Sequence, residues 1–224
     1  MFSIIFAFGI TIIAYLLAKP INKRLPQVPV LVIAMFWVVI FLLVFRFDFR
    51  EYKLIVDDVF LRLLGYVTVG LAIPLASMKY DDLPKKVLAI IVAFATTSAV
   101  ALPMGLAYLF HLSEPTLMAF ASRAVTTPIA INIATLIQAP VDIAVLIVIV
   151  SGLIGSAFSS VVLKNINDER ASGLALGLAA HAIGTAQAWQ RGPVAGRYAA
   201  FGMAINGVVT AIWLPAFIIY LQSL

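Results

Sequence analysis

The sequence is dominated by apolar runs that are each about as long as a bilayer is thick. A helix of about 20 apolar residues spans the hydrocarbon core of a membrane. Of the 224 residues, 63% are hydrophobic and 11% are charged, whereas about 25% of the residues of a typical soluble domain are charged. We therefore predict an all-α, polytopic membrane protein with about 7–8 membrane segments. The candidate segments are Phe2–Ala18, Val28–Phe45, Val59–Met78, Val87–Phe110, Pro115–Ile137, Val141–Leu163, Ala171–Trp189 and Tyr198–Leu221.

Basic residues predict how these segments are oriented. Lys and Arg are enriched in the short loops on the cytoplasmic side of a membrane. The loop at residues 19–24 holds Lys19, Lys23 and Arg24, and the loop at residues 79–86 holds Lys79, Lys85 and Lys86. We therefore place these two loops in the cytoplasm and the N-terminus outside.

Two parts of the sequence resemble each other. Residues 66–76 (YVTVGLAIPLA) align without gaps with residues 124–134 (AVTTPIAINIA), an offset of 58 positions. A second step of the same size takes Arg123 to His181 and Thr127 to Thr185. Chance similarity between Ala- and Val-rich helices is the alternative. A true repeat would give units that each contain an interrupted helix, as in many secondary transporters.

Ionisable side chains are rare inside the candidate segments. Only Arg123 and His181 lie well inside them, and all 10 acidic residues fit at segment ends or in loops. A buried cation without a buried acid indicates an anion site, with hydroxyl donors from Thr126 and Thr127 and N–H donors near Pro128.

Each of these residues also has a plainer explanation. Arg123 can extend its side chain to the membrane interface. His181 can be a hydrogen-bonded packing residue. The threonine hydroxyls can bond back to carbonyls of their own helix.

The sequence lacks the residue patterns that catalysis, metal binding or nucleotide binding would need. The chain has no cysteine, and it shows no metal-ligand spacing, no phosphate-binding loop and no nucleophile beside a base. We expect no enzyme, no cofactor and no metal site.

Three motifs carry a resemblance to a known family. GLAIPL (70–75), VTTPIAI (125–131) and GLALGLAAHAIGTAQA (173–188) resemble the LrgB/CidB family of bacterial membrane proteins, which includes YohK. They are also similar to part of the plastid glycolate/glycerate transporter. The resemblance runs from about residue 60 to the C-terminus. Arg123 stands where the family usually has lysine, so the cation is kept.

The resemblance implies two rival functions in the inner membrane of a bacterium. One is a carrier of small monocarboxylates such as glycolate, glycerate, pyruvate or lactate, working by alternating access. The alternative is an antiholin-like regulator of murein hydrolase export and cell lysis, acting with a small LrgA-type membrane partner. The buried cation favours the carrier. The regulator would need an oligomerisation face, and the small-residue spacings Gly173/Gly177 and Ala180/Gly184 suit one.

These arguments predict a domain organisation and a site. Residues 1–58 form N-terminal scaffold spans, and residues 59–224 form a repeat-built transport core, in a homodimer. Arg123, Thr126, Thr127 and His181 surround one polar cavity near the middle of the membrane, with Thr68 close by. The full set of predicted substrate-contacting residues is Arg123, Thr126, Thr127, Pro128, Thr68, His181, Thr185, Gly184 and Asn132.

Overall fold

Every regular element that the structure describes is a helix. The computed structural model describes residues 2–25, 28–70 and 84–223, and no strand occurs in these ranges. The predicted all-α class is confirmed. The described helices are α1 (Phe2–Arg24), α2 (Val30–Val44), α3 (Phe49–Gly70), α4 (Lys85–Leu109), α5 (Glu114–Phe120), α6 (Thr127–Leu136), α7 (Val141–Val162), α8 (Glu169–Arg191) and α9 (Pro193–Gln222).

Four of the described helices are long and apolar enough to cross a membrane. These spans are Ser3–Arg24, Lys85–Leu109, Val141–Val162 and Pro193–Leu221, and they overlap the first, fourth, sixth and eighth predicted segments. Helices α2 and α6 are apolar but shorter. The higher number of about 7–8 membrane segments, the orientation and the internal repeat stay predictions. Most of the repeat's first unit, from residue 71 onward, lies outside the described residues.

The chain divides into two compact units, Met1–Val69 and Gly70–Leu224. In the first unit, Ala7 and Ile10 of α1 pack with Leu42 of α2 and Tyr52 of α3. Thr11 donates its hydroxyl proton to the carbonyl of Ala7, so the Tyr52 hydroxyl, 2.9 Å from the Thr11 hydroxyl, is the donor of that bond. The functional division at residues 58 and 59 stays a prediction.

The core of the second unit encloses the short helix α6. Ile133 of α6 is 1% exposed and packs in one cluster with Val148 of α7 and Leu214 of α9, both 0% exposed. Ala130 and Ala134 of α6 are also completely buried. Small and branched side chains on α6 therefore allow neighbouring helices to cover a segment that is too short to span a membrane.

Helices α8 and α9 meet along a seam of small residues. A methyl group at Gly173 would overlap the carbonyl oxygen of Ala195, and one at Gly177 would overlap that of Ala199. Such close backbone approach is possible only without side chains. Gly173 and Gly177, whose spacing suited an oligomerisation face, thus pack against another helix of the same chain.

Three helices end in the same way, on a residue with left-handed backbone. Arg46, His111 and Gln138 follow α2, α4 and α6 with φ values of 50°, 53° and 56°. In each case the next N–H bonds to a carbonyl five residues earlier, as in Ala139 to Ala134 at 2.8 Å. This is the hydrogen bond of a Schellman motif, which usually has glycine at the left-handed position.

We expect the Gln138→Gly substitution to stabilise the protein. A left-handed conformation costs a residue with a side chain about 1–2 kcal/mol, and glycine avoids this cost. Gln138 is exposed, so little packing is lost. Melting temperatures in detergent, compared with Gln138→Ala as the control, test this. An equal temperature for the glycine and alanine variants would contradict the expectation.

Candidate functional site

The fifth predicted segment is interrupted, as the proline indicated. Helix α5 ends at Phe120, α6 begins at Thr127, and residues 121–126 form turns; we call these residues the first break. Pro128 has no N–H, so a continuous helix would leave the carbonyl of Ala124 without its usual donor. Proline is instead favoured in the first turn of a helix, and it starts α6. Thr126 is the N-cap, with an extended backbone and no capping hydrogen bond from its side chain.

The seventh predicted segment is also interrupted. Within α8, Ala180 has φ −124° and ψ 15°, and His181 has φ 40° and ψ −127°; these two residues are the second break. A methyl group at Gly184 would overlap the carbonyl oxygen of Leu176. In a straight helix these two residues would be about 12 Å apart along the axis. The absence of a side chain at Gly184 therefore permits the halves of α8 to fold against each other.

Both breaks contact the same turn of α7. His181 Nε2 lies 3.1 Å from the carbonyl oxygen of Val148. Because a carbonyl only accepts, Nε2 must carry the proton and donate it. Ser151 Oγ lies 2.9 Å from the carbonyl oxygen of Arg123. Gly152 leaves room for the imidazole, since a methyl group there would lie 2.5 Å from His181 Cε1.

Arg123 faces a cavity between α4 and the first half of α8. The cavity has a volume of about 400 Å³ and is lined by Arg123 and Ser98 together with apolar side chains such as Phe94 and Leu174. Arg123 Nε is buried, and it has no hydrogen-bond partner in the described part of the chain. Within the described residues no carboxylate lies at ion-pair distance from Arg123. A cation beside a mainly apolar cavity, without an acid, favours the entry of an anion.

The first break also holds hydroxyl groups without partners. Ser122 and Thr126 are 1% and 8% exposed, and neither hydroxyl oxygen has a hydrogen-bond partner among the residues that the structure describes. A buried polar group left unpaired costs about 1–3 kcal/mol. These two hydroxyls are therefore available to bind a polar ligand.

The other predicted site residues lie in different surroundings. Thr127 and Pro128 are half-buried in the first turn of α6. Thr185 is buried, and its hydroxyl donates to the carbonyl of His181 at 2.8 Å, so its proton is used within its own helix. Asn132 is exposed. The side chain of Thr68 lies outside the described residues.

The structure thus brings the predicted residues together only in part. Arg123 and His181 lie at two breaks that share a turn of α7. The cavity wall includes Arg123, but it does not include Thr126, Thr127 or His181. A role of these residues in binding a substrate stays a prediction.

Sequence reasoning missed a buried residue that joins the breaks. Asn206 is 1% exposed and donates to the carbonyls of Ala124 and Leu178. The sequence feature that could have identified Asn206 is that it is the one amide side chain within the apolar run FGMAINGVVTAIW (201–213). Polar side chains in such runs need internal partners.

Metal ligands do not converge in the part of the chain that the structure describes. No group of three or more His, Asp or Glu side chains comes together there. The expected absence of a metal site stays an expectation.

Comparison with known proteins adds the family. Residues 11–220 match the model of the LrgB-like family. The chain is 31% identical to the uncharacterized protein YwbG of Bacillus subtilis over 226 aligned positions, which cover 96% of this chain and 97% of that protein. It is 29% identical to the holin-like protein CidB of Staphylococcus epidermidis, over 94% of this chain and 93% of that protein. The CidB protein of Staphylococcus aureus is 28% identical over the same shares. No solved structure matches significantly.

Proposed function

The chain belongs to the LrgB-like family, and on that premise we propose that it acts as a holin-like integral membrane protein. In this proposal it regulates murein hydrolase export and cell lysis together with a small LrgA-type membrane partner. The observation that carries the proposal is the similarity to proteins named holin-like over 94% of the chain. In the sequence the buried cation favoured the carrier, but the similarity to holin-like proteins supports the regulator more strongly.

The structure limits where a partner can bind. Gly173 and Gly177 of α8 already pack against α9, so we propose that a partner binds another surface. We propose the bacterial inner membrane as the location, a homodimer as the assembly, and no chemical reaction catalysed by the protein.

A deletion strain tests the holin-like function. Loss of the gene should change the rate of autolysis and the extracellular murein hydrolase activity measured by zymography. Complementation should restore both rates. The LrgA-type protein should be recovered with this chain after cross-linking in membranes. Unchanged autolysis and hydrolase activity in the deletion strain would exclude this function.

A second candidate function is favoured by one specific observation, the position of Arg123. Arg123 lines a cavity of about 400 Å³, in a size range typical of small-molecule sites, and no carboxylate among the described residues pairs with it. A planar guanidinium binds a carboxylate through two parallel hydrogen bonds. The α6 N-terminus adds a partial positive charge in the same segment as Arg123. These features support a carrier of small monocarboxylates of the glycolate, glycerate, pyruvate and lactate class, in which the two breaks move during alternating access.

Uptake into proteoliposomes tests the carrier function. Vesicles that contain only this protein should accumulate labelled pyruvate, lactate or glycolate faster than empty vesicles. The same vesicles with the LrgA-type partner show whether transport needs it. Uptake equal to that of empty vesicles under both conditions would exclude the carrier.

The Thr126→Val substitution should have opposite effects on stability and on anion binding. Valine has nearly the same shape, and it removes a buried hydroxyl that has no partner. We expect an increase of about 1 kcal/mol in the free energy of unfolding, together with weaker uptake. Melting temperature in detergent and the KM of uptake measure the two effects.

Thr135→Val is the matched control for this variant. Thr135 lies on the same helix, is exposed, and bonds back to the carbonyl of Ile131. Its replacement should leave uptake unchanged. If Thr126→Val lowers the melting temperature, its hydroxyl has a partner in the protein, and the interpretation is wrong.

A further inference from the structure

Asn206 lies in the apolar helix α9, where its amide is fully engaged. Its side-chain nitrogen Nδ2 donates to the carbonyl oxygen of Ala124 at 2.6 Å and to that of Leu178 at 3.2 Å. Its oxygen Oδ1 accepts from the hydroxyl of Thr210 at 3.3 Å. Both amide protons are therefore given to backbone carbonyls of two other segments.

These two carbonyls need a donor because of the breaks. In a continuous helix, Ala124 would bond to the N–H of residue 128, but this residue is proline. Leu178 would bond to the N–H of Ala182, but the non-helical backbone of Ala180 and His181 separates them. A carbonyl without a partner inside a membrane costs several kcal/mol. Asn206 supplies the missing donor to both.

Both bonded carbonyls belong to segments beside the Arg123 cavity. Ala124 directly follows Arg123 in the first break, and Leu178 is itself part of the cavity wall. One amide therefore fixes the backbone of the residue after Arg123 and the backbone of one residue of the cavity wall.

We propose that Asn206 is a positioning residue for Arg123. By holding Ala124 and Leu178 on one amide, it keeps the guanidinium directed at the cavity. A displacement of α9 then moves both breaks together. The proposal deepens the carrier function, on which its link to anion binding rests, but the position of the charge can be measured without any transported substrate.

The chain is suited to this measurement because it contains no cysteine. Ser98→Cys places a single thiol in the cavity wall, on α4, whereas Asn206 is not among the residues that line the cavity. The thiol is labelled with an anionic and with a cationic methanethiosulfonate, and the ratio of the two rates is taken. The same ratio with Arg123→Gln added serves as the reference without the charge. A cleft with one sign of charge concentrates the opposite ion, so we expect Arg123 to raise the ratio about tenfold above this reference.

Adding Asn206→Ala to Ser98→Cys should lower the ratio to about the value of the reference, because the guanidinium is no longer held at the cavity. Adding Thr210→Val should leave the ratio high, because this change removes the bond to Oδ1 and keeps both Nδ2 donors. A general loosening of α9 would lower the ratio in both variants, and that result overturns the proposal. A ratio for Asn206→Ala equal to that of the Ser98→Cys parent also overturns it.

A second variant keeps the test decisive if Asn206→Ala does not fold. Asn206→Ser retains one donor, so its ratio should lie between those of the parent and the reference, and an unchanged ratio overturns the proposal. Pyruvate uptake is measured on the same proteins. If the wild type takes up no pyruvate, lactate or glycolate with or without the LrgA-type partner, the carrier function fails, while the labelling ratios still decide the role of Asn206.

Discussion

Replacing Arg123 by alanine should reduce carboxylate uptake more than any other single change in the chain. Truncating one partner of a desolvated charge pair costs about 2–5 kcal/mol, so we expect uptake at low substrate concentration to fall about 30-fold or more. Folding should be retained, because the charge has no acidic partner to lose among the described residues. Arg123→Lys should keep part of the activity, since lysine restores the charge but not the planar pair of donors.

Arg197→Ala is the matched control for Arg123→Ala. Arg197 lies in the same compact unit but is exposed, and its Nε bonds to the carbonyl of Pro193 at 3.3 Å. Initial rates of labelled pyruvate uptake in proteoliposomes compare the two variants. Uptake by Arg123→Ala at the wild-type rate would mean that Arg123 only extends to the membrane interface. The holin-like function predicts in addition that Arg123→Ala restores autolysis in the deletion strain as well as the wild type does.

The Gly177→Ala substitution should cause a large loss of stability from a single methyl group. That methyl group would overlap the carbonyl oxygen of Ala199, and α8 and α9 would have to move apart along the seam. Overpacking of this kind typically costs about 1–3 kcal/mol. Melting temperature and the monodisperse fraction after purification in detergent measure the effect.

Replacing Gly105 by alanine should instead increase the stability of the protein. Gly105 lies in α4, and a methyl group there would meet no atom within 4 Å. Alanine stabilises a helix interior by about 0.5–1 kcal/mol relative to glycine. If both variants shift the melting temperature in the same direction, the close approach of α8 and α9 does not determine the cost at Gly177.

Local sequence signals located the long helices well. The predicted segment Val141–Leu163 ends only one residue later than α7. The agreement is close because a proline precedes this segment and polar residues follow it. The first break was predictable for the same reason, since Pro128 lacks the N–H that a continuous helix requires.

The second break has weaker local signals because long-range contacts form it. No proline lies near His181, and the imidazole is held by the carbonyl of Val148, 33 residues away in the chain. Only the 58-residue offset from Arg123 and the nearby glycines pointed to this position. Asn206 was missed because its acceptors lie 82 and 28 residues away, and no local pattern predicts which carbonyls a break leaves free.

The cavity itself differs in character from the sequence-based expectation. We predicted a polar cavity, because the side chains singled out were Arg123, His181 and the threonines. The walls of the observed cavity come mostly from apolar residues of α4 and α8. These residues are indistinguishable in sequence from those that face lipid, so the pattern of hydrophobicity could not assign them to a cavity.

The position of Asn206 has a consequence for the order of events during synthesis. Its amide emerges from the ribosome 82 residues after Ala124, so the breaks enter the membrane before their common donor exists. Folding during translation commonly proceeds from the N-terminal side. In the second unit, however, the hydrogen bonds at the two breaks cannot form until α9 has been synthesised. A ribosome-bound chain that stops before residue 193 should be cleaved by protease at the breaks, whereas the released full chain should resist. Helix α9, which is synthesised after both breaks, is thus expected to complete their hydrogen bonds.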